Sequence, residues 1–191
     1  MKSIIRSIKP YWLYLILIGK KKCEIGKNIP QDPEWDRIVY LYCSKDLKSL
    51  RRIPKEDRVW MAKYIGKVAC SFKCEQIDKI EIRHFTVFGH ENLYTPVSYD
   101  PDYEWLKHSC LTYEEVVAYG KGAPLYSWHI YNLVIYTTPK NLKEFKLPCK
   151  HKKECEKCKY SINDQLPWGE ISIGCNRKIK KPPQTWMYIT T

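Results

Sequence analysis

The sequence predicts a small α+β domain in which short helices lie among about six strands of a curved or closed sheet. Three observations support this prediction. Short runs of branched and aromatic residues recur along the chain, as is typical of strands. Residues 11–18 and 111–120 have the patterns of short helices between these strands. Finally, 44% of the 191 residues are hydrophobic, which is enough to bury one core.

The first 27 residues predict strand, helix and strand in close succession. Ser3–Ile8 is a short isoleucine-rich strand, and Pro10 suits the first turn of the helix that follows. Tyr11–Ile18 is an unbroken apolar run, and Gly19 is placed to end it in the left-handed conformation. A second strand is predicted over Lys20–Lys27, with Lys21, Cys23 and Ile25 on one face and Lys20, Lys22, Glu24 and Gly26 on the other.

The rest of the chain supplies the remaining elements. Thr112 and Glu115 form a capping box at the start of a helix that ends at Gly120. Residues 45–58 are predicted as loop or short irregular helix, 92–102 as loop, and 141–145 as a helical turn. The further strands are predicted at Arg37–Cys43, Gly66–Cys74 with a bent continuation towards Phe88, Leu125–Tyr136 and Gln184–Thr190.

The charge is positive and concentrated in two parts of the chain. The net charge is +12, of which residues 1–27 carry +6 and residues 140–181 carry +7, so the middle is nearly neutral. This balance favours a polyanionic partner, either nucleic acid or an anionic membrane surface. The apolar run at 11–18 is far shorter than the roughly 20 residues of a membrane span, and no cleavage site of a signal peptide follows it. We therefore expect a soluble protein of the cytoplasm.

Nine cysteines, an odd number, are expected to be thiols in a reducing compartment. Four of them, at strand positions 23, 43, 70 and 74, are predicted to be small core residues. The spacing of Cys149, Cys155, Cys158 and Cys175 offers four sulfur ligands for one structural zinc ion, with His151 as a substitute. Free thiols and redox use remain open for this cluster.

The candidate site residues are polar and aromatic side chains at or near strand ends. Lys21 and Glu24 fall on opposite faces of a regular strand, so a bulge or the turn at Gly19 is needed to bring them together. If they meet, Glu24 could act as a base or accept from an exocyclic amine, while Lys21 could hold a phosphate or oxyanion. A surface salt bridge is the alternative. The further ligand-binding candidates are Ser7, Lys9, Lys27, Ser44, Tyr126, Trp128 and His129.

Two of these candidates, Tyr126 and Trp128, are predicted to share one strand face as a surface on which bases stack, with His129 pointing the other way. A core tryptophan and a structural histidine are the alternatives. No phosphate-binding glycine loop, dinucleotide fingerprint or His-Glu-x-x-His helix is present in the sequence.

Several short motifs resemble those of the ASCH domain family, a branch of the PUA-like β-barrels. They are Ser7-Ile8-Lys9-Pro10 and Gly19-x-Lys21-x-x-Glu24. Tyr126-Ser-Trp-His129-Ile and Pro182-Pro-Gln-Thr-Trp186 resemble the versions in phage and prophage proteins. The resemblance implies a PUA-like mixed β-barrel with short flanking helices, in a single domain covering 1–191, with a basic cysteine-rich insertion at about 146–181.

The resemblance also implies a cleft beside the barrel that takes RNA or a modified nucleobase. Some members resemble amidohydrolases acting on acylated cytidine, with a threonine three residues after the lysine, where this chain has Glu24. Many also have an arginine two residues after that glutamate, where this chain has Gly26. We therefore predict a module that binds RNA or a modified nucleotide. The alternatives are a hydrolase that uses Lys21 and Glu24, and a phage accessory protein that binds a host protein.

Overall fold

The structure is a computed structural model, and it describes residues 3–30, 37–87, 90–97, 104–148, 161–165 and 171–190. Within these ranges the backbone forms eleven strands, named here in chain order. They are β1 Ser3–Ile8, β2 Cys23–Gly26, β3 Arg37–Cys43, β4 Val68–Cys74, β5 Ile77–Val87, β6 His90–Val97, β7 Leu125–His129, β8 Tyr131–Lys140, β9 Ser161–Gln165, β10 Ile171–Cys175 and β11 Trp186–Ile189.

The helices of the described ranges are short and lie between these strands. They are α1 Pro10–Leu17, α2 Leu47–Leu50, α3 Lys55–Ala62, α4 Glu104–Ser109 and α5 Tyr113–Gly120, with one 3-10 turn at Leu142–Glu144. The predicted α+β class is therefore confirmed, and so is the helical turn at 141–145. The predicted bounds of β1 and β3 match the structure.

The larger strands form two sheets. One has the order β11-β1-β3-β4-β8, in which β1 and β3 are parallel and the other pairs are antiparallel. The second has the order β2-β7-β5-β6 and is antiparallel. β9 and β10 form a separate hairpin. That hairpin lies inside the predicted insertion at 146–181, much of which is outside the described residues, so the single-domain organisation stays a prediction.

A bent two-stranded ribbon joins the two sheets. β4 pairs with β8 in the first sheet, while their neighbours along the chain, β5 and β7, pair in the second. Only Glu75 and Gln76 separate β4 from β5, and only Ile130 separates β7 from β8. At the bend the His129 N–H donates to the Gln76 carbonyl at 3.1 Å, so hydrogen bonding continues around the corner. This is the curved sheet that the sequence predicts.

Helix α1 packs on the five-stranded sheet and covers the main core. Pro10 stands at its first turn, as predicted, and Leu13 and Ile16 are fully buried against β1 and β3 residues. Gly19 follows with φ +75°, a conformation in which a side chain would be strained. In the described part of the chain, no helix is both long enough and apolar enough to cross a membrane.

Two regions are more regular than predicted. Residues 45–58 contain α2 and the first half of α3. The Asp46 carboxylate caps α2 by accepting from the backbone N–H groups of Lys48 and Ser49. The prediction of loop over 92–102 is wrong for its first part, where β6 runs to Val97. β6 is an edge strand, and an edge strand tolerates a residue such as Pro96 that cannot donate to a ladder.

Helix α5 begins as the sequence predicts. The Thr112 hydroxyl accepts from the Glu115 N–H, and the Glu115 carboxylate accepts from the Thr112 N–H, so both halves of the capping box are present. The helix ends at Gly120, and the left-handed residue is the next one, Lys121, with φ 53°. Preceding α5 is α4, a helix with no sequence prediction, whose Trp105 is buried beside β2.

Candidate functional site

A cleft of about 640 Å³ lies at the ends of β1 and β2, beside α1 and α5. Its volume is in the range of natural sites for small molecules. Six of the nine predicted ligand-binding residues line it, and these are Ser7, Lys9, Lys21, Glu24, Lys27 and Ser44. The structure therefore brings together side chains that are up to 37 positions apart in sequence.

Lys21 reaches the cleft because strand β2 begins later than predicted. The strand starts at Cys23, so Lys21 belongs to the connection after α1 and does not follow strand alternation. That connection is held firmly: the N–H groups of Lys20 and Lys21 both donate to the Leu15 carbonyl at 2.9 Å, and the Lys22 N–H donates to the His108 carbonyl. Lys21 and Glu24 therefore meet after the turn at Gly19, one of the two arrangements that the sequence left open, and the Lys21 Nζ lies 3.3 Å from Glu24 Oε2.

Glu24 is held between two buried cations at the floor of the cleft. Besides Lys21, it faces the Arg6 guanidinium, whose Nη2 lies 3.7 Å from Glu24 Oε1. The residues Arg6, Lys21 and Glu24 are 5%, 3% and 9% exposed, respectively. The Lys21 Nζ also donates to the Ser109 carbonyl at 2.6 Å. Two positive charges and one negative charge thus share the floor, and the surplus is positive.

Arg6, which was not among the predicted site residues, lies at the centre of this floor. Its guanidinium donates to the Ile25 carbonyl at 3.0 Å and lies 5.0 Å from the centre of the Trp128 ring. A Cβ atom at Gly26 would come within 2.5 Å of Arg6 Nη2, so only glycine leaves room for the guanidinium there. A sequence signal for Arg6 existed, because it is the one charged residue in a strand of isoleucine and serine.

Polar atoms without partners are also found at the cleft. The Arg6 Nε and the Ser44 Oγ are buried and have no hydrogen-bond partner among the described residues. Buried polar atoms in native proteins are nearly always hydrogen-bonded, so each of these has capacity for a bound molecule. Ser7 has already committed its hydroxyl, which donates to the Pro183 carbonyl at 2.7 Å.

The rim of the cleft combines cations with aromatic rings. Lys27 Nζ lies 4.9 Å from the ring centre of Tyr119, and the Arg52 guanidinium lies 4.9 Å from that of Trp12. Lys9, whose side chain is 65% exposed, lies 3.6 Å from Asp46. Of the residues that the structure describes, five cationic side chains and two carboxylates line the cleft. Trp12 and Tyr119 were missed by the sequence analysis because they lie on separate helices whose relative placement depends on tertiary packing.

The three candidates on β7 do not line the cleft. Trp128 is fully buried in the main core, where its ring packs under Arg6, so the structure has the core tryptophan that the sequence analysis gave as the alternative to an open stacking surface. Tyr126 packs against the edge of the same core. His129 points to the other side, as predicted from strand alternation, and its Nε2 lies 2.6 Å from Asp78 Oδ2. Trp128 nevertheless supports the cleft indirectly, since it is the cross-strand neighbour of Glu24.

The cysteines divide into a described group and an undescribed one. Cys23, Cys43, Cys70 and Cys74 are all fully buried, as predicted. Burial raises the pKa of Cys43 and Cys70 to about 12, and that of Cys23 and Cys74 to about 11, so these thiols are poor nucleophiles. The predicted zinc ligands Cys149, Cys155 and Cys158 lie outside the described residues, and only the backbone of Cys175 is described.

Comparisons with known proteins bear on the fold. No protein-family model matches the chain, and no curated protein matches it. Among solved structures, a serine-to-alanine variant of ASCH from Zymomonas mobilis gives a TM-score of 0.52 at 13% identity, over 99% of this chain and 89% of that chain. The ASCH structure from the same organism gives 0.47 at 15% identity, over 74% of each chain. The predicted ASCH resemblance is thus confirmed for the fold, while the phage-type resemblance stays a prediction.

Proposed function

We propose that this chain, whose fold is that of an ASCH domain, binds single-stranded RNA and holds one of its nucleotides in the cleft. The observation that carries the proposal is the buried group of Arg6, Lys21 and Glu24 at the cleft floor. Burying three charges costs free energy that a hydrophobic cluster would not, and such groups are concentrated at functional sites. A structural ion cluster is the competing explanation, and the experiment below separates the two.

The charge of the cleft favours a phosphate-bearing ligand. Five cations against two carboxylates line it, and Lys9 and Lys27 stand exposed at the rim. The carboxylate nearest to Lys9 is that of Asp46, which also accepts from two backbone N–H groups. Those bonds, above all the one from Ser49, hold the pKa of Asp46 below its usual value. Asp46 is thus an ionised partner of Lys9, but the Lys9 side chain is 65% exposed and can also contact a phosphate, with release of counterions as the driving force.

The floor favours a base with an exocyclic amine. The Glu24 carboxylate accepts hydrogen bonds, and such an amine donates them, whereas uracil has none. The unpartnered Ser44 Oγ and Arg6 Nε add polar capacity beside it. On the walls, Trp12 and Tyr119 provide aromatic faces, and stacking of a base on such a face contributes about 1–3 kcal/mol. We therefore assign base stacking, which was predicted for Trp128, to Trp12 and Tyr119.

The test is fluorescence anisotropy with labelled oligo(rC) and oligo(rU) of about eight nucleotides, between about 50 and 300 mM NaCl. We expect tighter binding of oligo(rC), with affinity that falls steeply as salt rises. Tyr119→Ala should weaken binding by about 5- to 150-fold through lost stacking. Glu24→Gln should reduce the preference for oligo(rC). Tyr131→Ala is the matched control, since Tyr131 is 39% exposed against 41% for Tyr119 but lies away from the cleft.

The proposal fails if neither oligonucleotide binds at the lowest salt, or if the two tyrosine variants behave alike. The first result would favour the accessory-protein alternative, in which the basic surface meets an acidic host protein. Mass spectrometry of the same mixtures tests the hydrolase alternative. That alternative rests on Lys21 and Glu24 lying 3.3 Å apart at the floor, where a cation and a carboxylate could assist hydrolysis. Shortened RNA that requires Glu24 would establish turnover.

We also propose that Cys149, Cys155, Cys158 and Cys175 bind one structural zinc ion. The support is the spacing of the cysteines, because a Cys-x-x-Cys pair and two further thiolates complete a tetrahedral site. Elemental analysis should find about one zinc per chain. Cys155→Ser/Cys158→Ser should remove the zinc, whereas Cys110→Ser should retain it, as Cys110 lies near the cleft and outside the cluster. If the protein is refolded in the presence of zinc and still contains no zinc, the proposal is contradicted.

A further inference from the structure

A second, larger groove adjoins the cleft. It has a volume of about 1190 Å³ and lies between the end of β3, the turn after β8 and the segment before β11. The two cavities share three residues, Ser7, Ser44 and Gln184, so they meet along one boundary. We propose that an RNA strand runs from the cleft into this groove, so that the ligand is a stretch of several nucleotides rather than one nucleoside. This inference rests on the proposed function.

The charge of the groove is the first argument. Among the described residues, five lysines and one carboxylate line it; the lysines are Lys45, Lys143, Lys146, Lys178 and Lys180. The carboxylate, Glu144, already accepts from the Asn141 N–H at 2.6 Å in the cap of the 3-10 turn. Among the residues that the structure describes, none of the five lysines forms an ion pair. Like charges gathered in one groove repel one another, and a polyanion would relieve that repulsion.

The backbone beneath the lysines is well ordered by hydrogen bonds, which is the second argument. Lys146 is bridged to Lys178 on one side and to Thr190 on the other. The Ile179 N–H donates to the Phe145 carbonyl at 3.1 Å, and both of these side chains are buried in a core of their own. The exposed Lys178 and Lys180 therefore flank the buried Ile179, and the half-buried Lys146 follows the buried Phe145. A preorganised row of cations loses less entropy on binding than a flexible tail does.

The boundary between the cavities is the third argument. Ser44 contributes to both, and its Oγ is buried with no partner among the described residues. The phosphate that joins the nucleotide in the cleft to the next one would pass over this residue, and a rotation of the Ser44 side chain would let its hydroxyl donate to that phosphate. A free nucleoside would occupy the cleft alone and would leave the larger groove and its five lysines unused. The arrangement fits an RNA strand with one terminal base in the cleft and its phosphodiester backbone along the groove.

The test compares a mononucleotide with a strand. Cytidine monophosphate and labelled oligo(rC) of about eight nucleotides are titrated against the wild type and Lys178→Ala/Lys180→Ala. For single strands each phosphate contact contributes a salt slope of about 0.7, which is about fivefold in affinity at 0.1 M salt. We expect the double variant to bind the oligonucleotide about 25-fold more weakly, with a slope smaller by about 1.4, and to bind the mononucleotide as the wild type does.

Lys55→Ala/Lys63→Ala is the control, since it removes the same charge from exposed residues at α3 that line neither cavity. It should leave both affinities within about twofold. If neither probe binds, the proposed function itself fails. If both bind and the groove variant holds the oligonucleotide as tightly as the wild type, only the extended track is overturned. Equal binding of polyglutamate and oligo(rC) would also overturn it, in favour of an acidic protein partner.

Discussion

Replacing Glu24 with alanine is expected to lower the free energy of unfolding by about 3–5 kcal/mol. The substitution leaves the Arg6 guanidinium and the Lys21 ammonium buried next to each other without their shared carboxylate. Both cations would then stay buried, and the carboxylate would no longer offset the free-energy cost of their desolvation. Urea unfolding followed by tryptophan fluorescence measures the effect. Glu24→Gln, which keeps the shape and one acceptor, should cost less.

The control for this prediction is Glu75→Ala. Glu75 lies only 2.8 Å from Lys73, closer than Glu24 lies to either cation, but its side chain is 48% exposed. Solvent screens an exposed pair, so this change should cost at most about 1 kcal/mol. Adding Lys21→Met to Glu24→Ala should recover part of the lost stability, because it removes one unpaired charge. Equal losses from Glu24→Ala and Glu75→Ala, or no recovery in the double variant, would contradict the buried cluster.

The second large effect is expected at Trp128. Truncation to alanine should cost about 3–5 kcal/mol, because a fully buried tryptophan leaves a large cavity. It also removes the ring under the Arg6 guanidinium, so the cleft floor should loosen. Trp128→Phe keeps an aromatic face there and should lose less of both stability and RNA affinity. Thermal and urea unfolding give the stability, and the anisotropy titration gives the affinity.

Tyr119→Ala provides the contrast for this prediction. Tyr119 is 41% exposed at the rim, so its loss should change stability by less than about 1 kcal/mol while weakening RNA binding. Comparison of the two variants thus distinguishes a residue that supports the cleft floor, Trp128, from one that contacts the RNA, Tyr119. If Trp128→Ala were as stable as the wild type and lost only RNA affinity, the tryptophan would be a stacking surface, and its placement in the core would be wrong.

Some features of the fold follow directly from local sequence. β1 and β3 are found where branched and aromatic residues predict them, and the Thr112–Glu115 capping box marks the start of α5. In each case the decisive interactions are between residues close in the chain. Six cleft residues were also predicted, from the resemblance of short motifs to those of ASCH domains and from polar residues at strand ends.

Other features depend on contacts between distant parts of the chain. Arg6 is buried because it meets the Ile25 carbonyl, Glu24 and the Trp128 ring, and no local pattern announces that combination. The orientation of Lys21 depended on where β2 begins, and a strand boundary is the least certain feature of a sequence pattern. Trp128 alternates correctly with its neighbours, yet alternation alone does not tell which face of a curved sheet is covered.

The position of β1 between β3 and β11 has a consequence for synthesis on the ribosome. Ser7 and Pro183, which bond across one side of the cleft, are 176 residues apart in sequence. At a translation rate of about 5–20 residues per second, Pro183 is made about 10–35 s after Ser7. Closing so long a loop is entropically costly, and topologies of this kind fold slowly. A nascent chain therefore has no complete cleft until β11 and the segment before it have been made.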